Sequence, residues 1–296
     1  MMKLARKALV VACLAAATGP VFANAYSTAT FGNLKVTLID LNQNDGVAAA
    51  INFQPDPRKF YDGAGVRGEV ESWREQGSWT DLHDEKFNKT AAVGSANISG
   101  GARTETAMVS ASVLASADGT GFKALSLSGS ALATPGHLSY FNGSANVPGV
   151  NLRNFTLSAN TRVVFSVDAS MSVSTDIGTL PGELRTELAW AQLGLSVSGL
   201  AADGFTEVLD QQSHSISVGY PGDAIPSGGA DSWSGIISSG FSNLSSDSAG
   251  GGFWAYGNIE GNSLMTAVPE PATYGMLLGG LGLISAVARR RRHRAA

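Results

Sequence analysis

Hydrophobic and polar residues alternate along the segment TRVVFSVDASMSVST, residues 161–175. One phase is apolar throughout and consists of Val163, Phe165, Val167, Ala169, Met171 and Val173. The other phase is mostly serine and includes Asp168. Alternation with a period of two predicts a β-strand with one buried and one exposed face. A helix would bring Phe165 and Asp168 onto one surface, so the pattern favours a strand.

The same alternation recurs along the rest of the chain. The segments AMVSASVLASA, residues 107–117, and KALSLSGSAL, residues 123–132, are further examples. Turn-forming pairs such as Asp118-Gly119, Pro135-Gly136 and Asp203-Gly204 separate such segments. Many short strands with one polar face predict an all-β body, an antiparallel β-sandwich or jelly roll.

Two stretches depart from this pattern. Residues 55–90 contain 14 charged residues among 36, which predicts a long loop with a short helix rather than strands. In ELAWAQLGLSV the apolar phase changes between Trp190 and Leu193. We therefore expect a β-bulge at residues 192–194, with Trp190 in the core.

The segment DLNQNDG, residues 40–46, allows two interpretations. The first is a hairpin turn, closed by Asp45-Gly46, between a strand at residues 36–41 and a strand at residues 47–53. The alternative is a calcium loop, because Asp40 is followed by asparagines at the third and fifth positions. An EF-hand needs Gly and Glu where this chain has Asp45 and Ile51, so the pattern favours the turn and leaves only loosely bound calcium as the alternative.

The amino-terminal 25 residues have the features of a secretory signal peptide. Lys3, Arg6 and Lys7 precede an apolar run at residues 8–17, and Val21-Phe22-Ala23 and Ala23-Asn24-Ala25 each offer a cleavage site. We expect the mature chain to start near Asn24 or Tyr26. Cys13 lies in the apolar run, where lipidation is an alternative; the mature chain otherwise has no cysteine for a disulfide or a zinc site.

The net charge between the two ends is strongly negative. Between Asn24 and Ala267 there are 12 Lys and Arg residues and 23 Asp and Glu residues. Such a surface is unsuited to phosphate backbones, so we expect no nucleic-acid partner. It suits a soluble domain outside the cell.

The carboxyl end combines three elements in a fixed order. Pro269-Glu270-Pro271 is followed by 16 uncharged residues, 273–288, and then by Arg289, Arg290, Arg291 and Arg292. As a helix the uncharged run would be about 24 Å long, slightly less than the ~30 Å thickness of a bilayer core. The arginines would stop transfer and stay in the cytoplasm. The two prolines keep the backbone around Glu270 extended, which suits recognition by a membrane protease.

This tail resembles the PEP-CTERM sorting signal of Gram-negative bacteria. The resemblance implies that the protein is a substrate of an exosortase, a membrane transpeptidase that cuts near the Pro-Glu-Pro triad and passes the body to the cell surface. It also implies an association with exopolysaccharide and biofilm matrix. The chain then divides into a signal peptide, 1–25, a β-sandwich domain, 26–266, and a sorting segment, 267–296, with a single transmembrane helix. The inner membrane would hold the protein before processing.

The body offers no clear catalytic motif. His83 lies among acidic residues at positions 81–85, but without a second histidine at metal-ligand spacing, so we expect no metal site and no cofactor. The pair Glu69 and Glu71 leaves a hydrolase open as a weaker hypothesis. Exposed aromatic side chains can stack on sugar rings, and the candidates are Trp73, Trp79, Trp254 and Tyr256. We therefore expect a structural or adhesive surface protein and not an enzyme, with a carbohydrate-binding module as the alternative.

Overall fold

The computed structural model describes residues 23–53, 63–74, 81–92, 97–114, 116, 122–134, 136–147, 155–176, 185–219 and 228–265. These residues form strands joined by turns and loops. None of them forms a helix long and apolar enough to cross a membrane. The predicted carboxyl-terminal helix, residues 273–288, lies outside the described residues.

Fourteen strands are present in the described residues, and they form two sheets. The first seven are β1 (Ala23–Asp40), β2 (Ile51–Phe53), β3 (Gly63–Arg74), β4 (Asp81–Ala92), β5 (Ile98–Arg103), β6 (Ala107–Leu114) and β7 (Ala124–Ala133). The others are β8 (His137–Val147), β9 (Phe155–Leu157), β10 (Thr161–Thr175), β11 (Arg185–Leu200), β12 (Glu207–Val218), β13 (Gly229–Asn243) and β14 (Ala249–Met265).

The six-stranded sheet has the order β13-β10-β1-β7-β6-β5. The eight-stranded sheet has the order β12-β11-β14-β8-β3-β4, and the short strands β2 and β9 are added beside β14. Each pairing between described strands is antiparallel. The two sheets face each other across one apolar core, so the prediction of an all-β, sandwich-like body is confirmed.

Strands of both sheets contribute every second side chain to this core. The apolar phase of β10 is buried, from Val163 to Val173, as its alternation predicts. Phe165 of the six-stranded sheet stacks on Phe253 of the eight-stranded sheet, with ring centroids 4.7 Å apart. At one pair of edges the sheets are also tied by hydrogen bonds: the Asp210 carboxylate of β12 accepts from the Gly240 amide of β13 at 2.8 Å.

The prediction of a loop at residues 55–90 is wrong. Its described parts are β3 and β4, which pair with each other along their whole length. Val66, Val70 and Phe87 point into the core. Glu69 and Lys86 lie in the opposite phase and face each other across the two strands. Glu85 and Lys89 share the phase of Phe87 and reach β5 of the other sheet, where Glu85 accepts from the Arg103 amide and Lys89 donates to the Ser99 carbonyl. Opposite charges on neighbouring strands compensate each other. A segment whose composition resembles that of a loop can therefore form part of a sheet.

The prediction of a hairpin around Asp45-Gly46 is also wrong. Two non-local strands, β7 and β10, pair with β1, and β2 pairs with β9. Residues 41–50 form a loop, in which the Asp45 carboxylate accepts from the amides of Val47 and of the Asn160 side chain. Gly46 has a φ of 74°, which accounts for the glycine at this turn.

The predicted bulge at residues 192–194 does not occur. The pairing of β11 with β12 and β14 runs through Leu193 without a shift. Ala189, Ala191, Leu193 and Leu195 are all buried in one phase, so Trp190 lies on the opposite face and not in the core. A shift of register is found instead in β1, between Gly32 and Lys35, where Asn33 has a φ of 53°. It moves the core-facing phase from Phe31 to Leu34.

Candidate functional site

The predicted sorting residues Pro269, Glu270 and Pro271, with Arg289, Arg290, Arg291 and Arg292, lie outside the described residues. Trp79 lies outside them as well. The described part of the chain does fix the point from which the sorting segment departs, because β14 ends at Met265. The Met265 carbonyl accepts a hydrogen bond of 2.7 Å from the Gly136 amide, which holds the end of β14 against the β7–β8 turn.

Both ends of the body lie at the same end of the sandwich. Ala23 begins β1 and Met265 ends β14, and the two share a small buried cluster with Ala133 of β7. We call this the tail end of the sandwich. Antiparallel pairing places loops 41–50, 201–206 and 244–248 at the other end, which we call the far end.

Three of the four predicted aromatic residues are described, and all three lie on the outer face of the eight-stranded sheet. We use this name for the face of β12, β11, β14, β8, β3 and β4 that points away from the six-stranded sheet. Trp254 and Tyr256 stack on each other, with ring centroids 4.6 Å apart and an interplanar angle of 30°. Gln211 of β12 donates a hydrogen bond of 3.0 Å to the Tyr256 hydroxyl. The Trp254 indole nitrogen is buried without a hydrogen-bond partner among the described residues.

A missing side chain on β11 makes room for this pair of rings. A Cβ at Gly194 would come within 2.3 Å of the Tyr256 ring, so the ring lies directly over the backbone of Gly194. The ring thus crosses from β14 over β11 towards Gln211 of β12. The result is an aromatic platform along the sheet that is fixed at its polar end, in which Tyr256 is buried and Trp254 is half-buried.

Trp73 is far from this platform. It pairs with Leu138 of β8, which in turn pairs with Leu264 of β14, ten residues along the strand from Trp254. At about 3.4 Å per residue, the two tryptophans are about 34 Å apart along the strand direction. The structure therefore does not join the predicted aromatic residues into one site.

Trp73 instead borders a cleft of about 140 Å³ at the tail end, which is also lined by Ser72, Arg74, His83, Glu105, Thr106 and His137. The Nε of Arg74 donates to Nε2 of His137 at 3.1 Å. Since Nε2 accepts this bond, the proton of the neutral imidazole is on Nδ1, which lies 2.5 Å from the Thr134 hydroxyl. No group of three or more metal-binding side chains occurs among the described residues.

Charged groups concentrate on the β3–β4 side of the outer face. Lys86 forms an ion pair with Glu69 and a second one, at 3.5 Å, with Asp84. The hydrogen bond from Lys86 lowers the pKa of Glu69, whereas partial burial, followed by the Glu69 carboxylate, raises the pKa of Glu71. Divergent pKa values are what acid–base catalysis uses, but these carboxylates lie on an open sheet face and are not enclosed.

Sequence reasoning missed several residues of this face. Tyr140 and Trp190 lie on it, together with the amides of Asn142, Asn258 and Asn262. Burial, followed by the Glu260 carboxylate, raises the pKa of Tyr140. The signal was present in β14, where every second residue from Trp254 to Asn262 is aromatic, amide or acidic. This signal was hard to recognise because the core-facing phase contains Gly257 and Gly261. In the sequence, the phase with the aromatic residues therefore resembles the buried one.

Comparison with protein families matches one segment of the chain. Residues 267–292 match the model of the PEP-CTERM protein-sorting motif. No curated protein matches the chain in sequence. A solved structure, from a study of the promiscuous specificity of carbohydrate-binding modules of the β-sandwich superfamily, aligns with 74% of this chain and 96% of its own at 8% identity. Its TM-score of 0.11 supports no argument about fold or function.

The matched segment begins directly after the body, since only Thr266 separates it from Met265. This confirms the sorting segment that the tail pattern predicts. The protein carries a PEP-CTERM sorting motif. This motif indicates a surface protein of Gram-negative bacteria that is exported, anchored in the membrane and targeted by an exosortase.

Proposed function

We propose that this protein is a structural or adhesive component of the cell surface or of the exopolysaccharide matrix. An exosortase-like transpeptidase would recognise Pro269, Glu270 and Pro271 while the apolar run is held in the inner membrane. The single observation that supports this proposal most strongly is the sorting motif at residues 267–292, directly after the last strand. We also propose that the body acts without enzymatic activity and without a resident cofactor.

The position of the tail suggests how the body is presented. The sorting segment follows Met265 at the tail end, so this end would face the membrane before processing. The far end, with loops 41–50 and 201–206, would point outwards. Phe205 in the second of these loops is 91% exposed, and Leu244 nearby is 67% exposed. Exposed apolar side chains at the outward end suit an adhesive role.

Substitution of the central acid of the triad tests this proposal. We expect Glu270→Ala to leave the full-length chain in the inner membrane, because the transpeptidase no longer recognises the triad. Glu207→Ala, which changes an exposed glutamate of β12, is the matched control and should be processed normally. Immunoblots of inner-membrane and surface fractions read out both variants. Normal mature mass and surface yield of Glu270→Ala would refute the role of the triad.

A second candidate function is carbohydrate binding. The observation in its favour is the stacked pair Trp254 and Tyr256, held flat on the sheet by Gln211. Aromatic faces pack against the apolar C–H faces of sugar rings, and the neighbouring amides can bond to sugar hydroxyls. This candidate is compatible with the first, because a matrix protein must contact polysaccharide.

A further inference from the structure

The register of the eight-stranded sheet assembles a continuous surface of aromatic and amide side chains. Trp190 of β11 lies opposite Glu260 of β14, and Glu260 lies opposite Asn142 of β8. The next row towards the tail end contains Asn262 and, opposite it, Tyr140. These side chains are partly exposed. They come from three adjacent strands, so none of them depends on a flexible loop for its position.

The aromatic platform extends this surface towards the far end. Trp254, Tyr256, Asn258, Glu260 and Asn262 follow one another on the same face of β14, two residues apart. At about 3.4 Å per residue this series is about 27 Å long. That length accommodates a chain of several sugar rings rather than a single ring.

Small residues leave room above the sheet between the larger side chains. Ser144 of β8 lies opposite Asn258, and Gly65 of β3 lies opposite Asn146. A Cβ at Gly65 would come within 2.7 Å of the Asn146 amide oxygen, so this amide lies flat across the neighbouring strand. Flat amides and rings produce a shallow surface, which suits an extended polymer.

The charges of the same face restrict the ligand. Glu69, Glu71 and Asp84 place three carboxylates on β3 and β4, and Glu260 adds a fourth on β14, against the cations Arg67 and Lys86. Lys86 is already paired with Glu69 and Asp84. An anionic polysaccharide would therefore meet net repulsion, whereas uncharged hydroxyl groups can bond to both the amides and the carboxylates.

We propose that the outer face of the eight-stranded sheet binds an uncharged pyranose polysaccharide, with Trp254 and Trp190 as stacking surfaces and with Asn142 and Asn258 as hydrogen-bonding groups. Tyr256 is buried and acts as the support on which the Trp254 ring stacks. This inference rests on the carbohydrate-binding candidate above and adds the site and the class of ligand. It differs from a site around Trp73, which is about 34 Å from Trp254 along the strand direction.

Affinity electrophoresis of the full chain, in gels that contain a neutral β-glucan or an anionic polyuronate, tests the proposal. We expect retardation by the neutral polymer alone. Trp190→Ala and Trp254→Ala should each weaken binding by about tenfold or more, as loss of one aromatic contact does. Phe205→Ala, a change at an exposed far-end residue, is the control and should bind as the unaltered protein does. Circular dichroism checks the fold of each variant, and Asn258→Ala replaces Trp254→Ala if the latter unfolds.

The outcomes separate the site from the function on which it rests. No binding to either polymer would overturn both the carbohydrate-binding candidate and the site. Neutral-glucan binding that survives Trp190→Ala and Trp254→Ala but is lost in Trp73→Ala would keep the function and refute the outer face as its site. Binding to the polyuronate alone would refute the class of ligand.

Discussion

Ala23 and Met265 belong to one buried cluster, although they are the first and the last residues of the described strands. The third member, Ala133, pairs with Ala23 across β7 and β1. The first and the last strand of the described body therefore meet at the tail end, where the sorting segment would hold the protein at the membrane. The far end is then free, which is the arrangement that a surface protein requires.

The start of the mature chain should affect the stability of the body. Ala25 is fully buried and pairs with Ala131 on one side and Thr175 on the other. A chain that starts at Tyr26 loses this residue, so we expect it to be less stable than a chain that starts at Asn24 by about 1–2 kcal/mol. Thermal unfolding of the two forms measures the difference. Equal midpoints would show that the first residues of β1 do not contribute.

Close contact between the sheets depends on glycine. A Cβ at Gly129 of β7 would come within 2.2 Å of the Phe141 ring of β8, in the opposite sheet. We expect Gly129→Ala to lower the free energy of unfolding by about 1–3 kcal/mol, because the buried ring has to shift. Gly32→Ala is the control, since a Cβ there meets no atom within 4 Å. Urea unfolding compares the two, and equal losses would contradict the proposed packing.

Asn160 holds the far-end loops together in a backbone conformation that few residues adopt. Its φ is 46°, and its side chain donates to the Asp45 carboxylate at 2.7 Å. Asn160→Gly and Asn160→Ala both lose this hydrogen bond, but only alanine adds the cost of left-handed backbone. We expect alanine to be less stable than glycine by about 1–2 kcal/mol in chemical unfolding. The reverse order would mean that the loop adopts another conformation.

The carboxylates of the outer face should give a measurable pH dependence. Glu71 has a raised pKa, so the folded state binds its proton more tightly than the unfolded state does. Stability therefore falls as the pH rises from the ordinary glutamate value through the raised pKa of Glu71. Glu71→Gln removes this loss, and its melting temperature should exceed that of the unaltered protein at neutral pH but not at about pH 4.

The same pH series with Glu207→Gln provides the control, because Glu207 is exposed on an edge strand. An equal change in the melting temperature of both variants would contradict the raised pKa of Glu71. So would an increase in the melting temperature of Glu71→Gln that does not grow with pH. The depressed pKa of Glu69 acts in the opposite sense. Its contribution is present at neutral pH and is lost as the pH falls through that depressed pKa.

The fold class was predictable because most strands carry their core residues in strict alternation, as β10 does. The errors have physical causes. Charged residues in β3 and β4 compensate one another across the strands, so composition alone indicated a loop. The pairing of β1 with β7 and β10 joins segments that are distant in sequence, and local turn residues carry no information about it. They predicted instead a hairpin that does not form.

The candidate site was only partly predictable for a similar reason. Trp254 and Tyr256 were identified as aromatic candidates, but nothing local shows that Gly194 lies beneath Tyr256 or that Gln211 fixes its hydroxyl. The pattern predicts Trp190 in the core because it follows Leu188 in phase, whereas the small residues Ala189 and Ala191 occupy the true core phase. The sorting motif, by contrast, is a short linear signal and could be identified from sequence without any knowledge of pairing.

The most direct test of processing at the Pro-Glu-Pro triad is mass spectrometry of the carboxyl terminus of the protein recovered from the cell surface. If the sorting segment is cut near Pro269, Glu270 and Pro271, the last peptide of the surface form ends before the apolar run and lacks Arg289–Arg292. Recovery of surface protein that still ends in the intact arginine cluster would contradict the account.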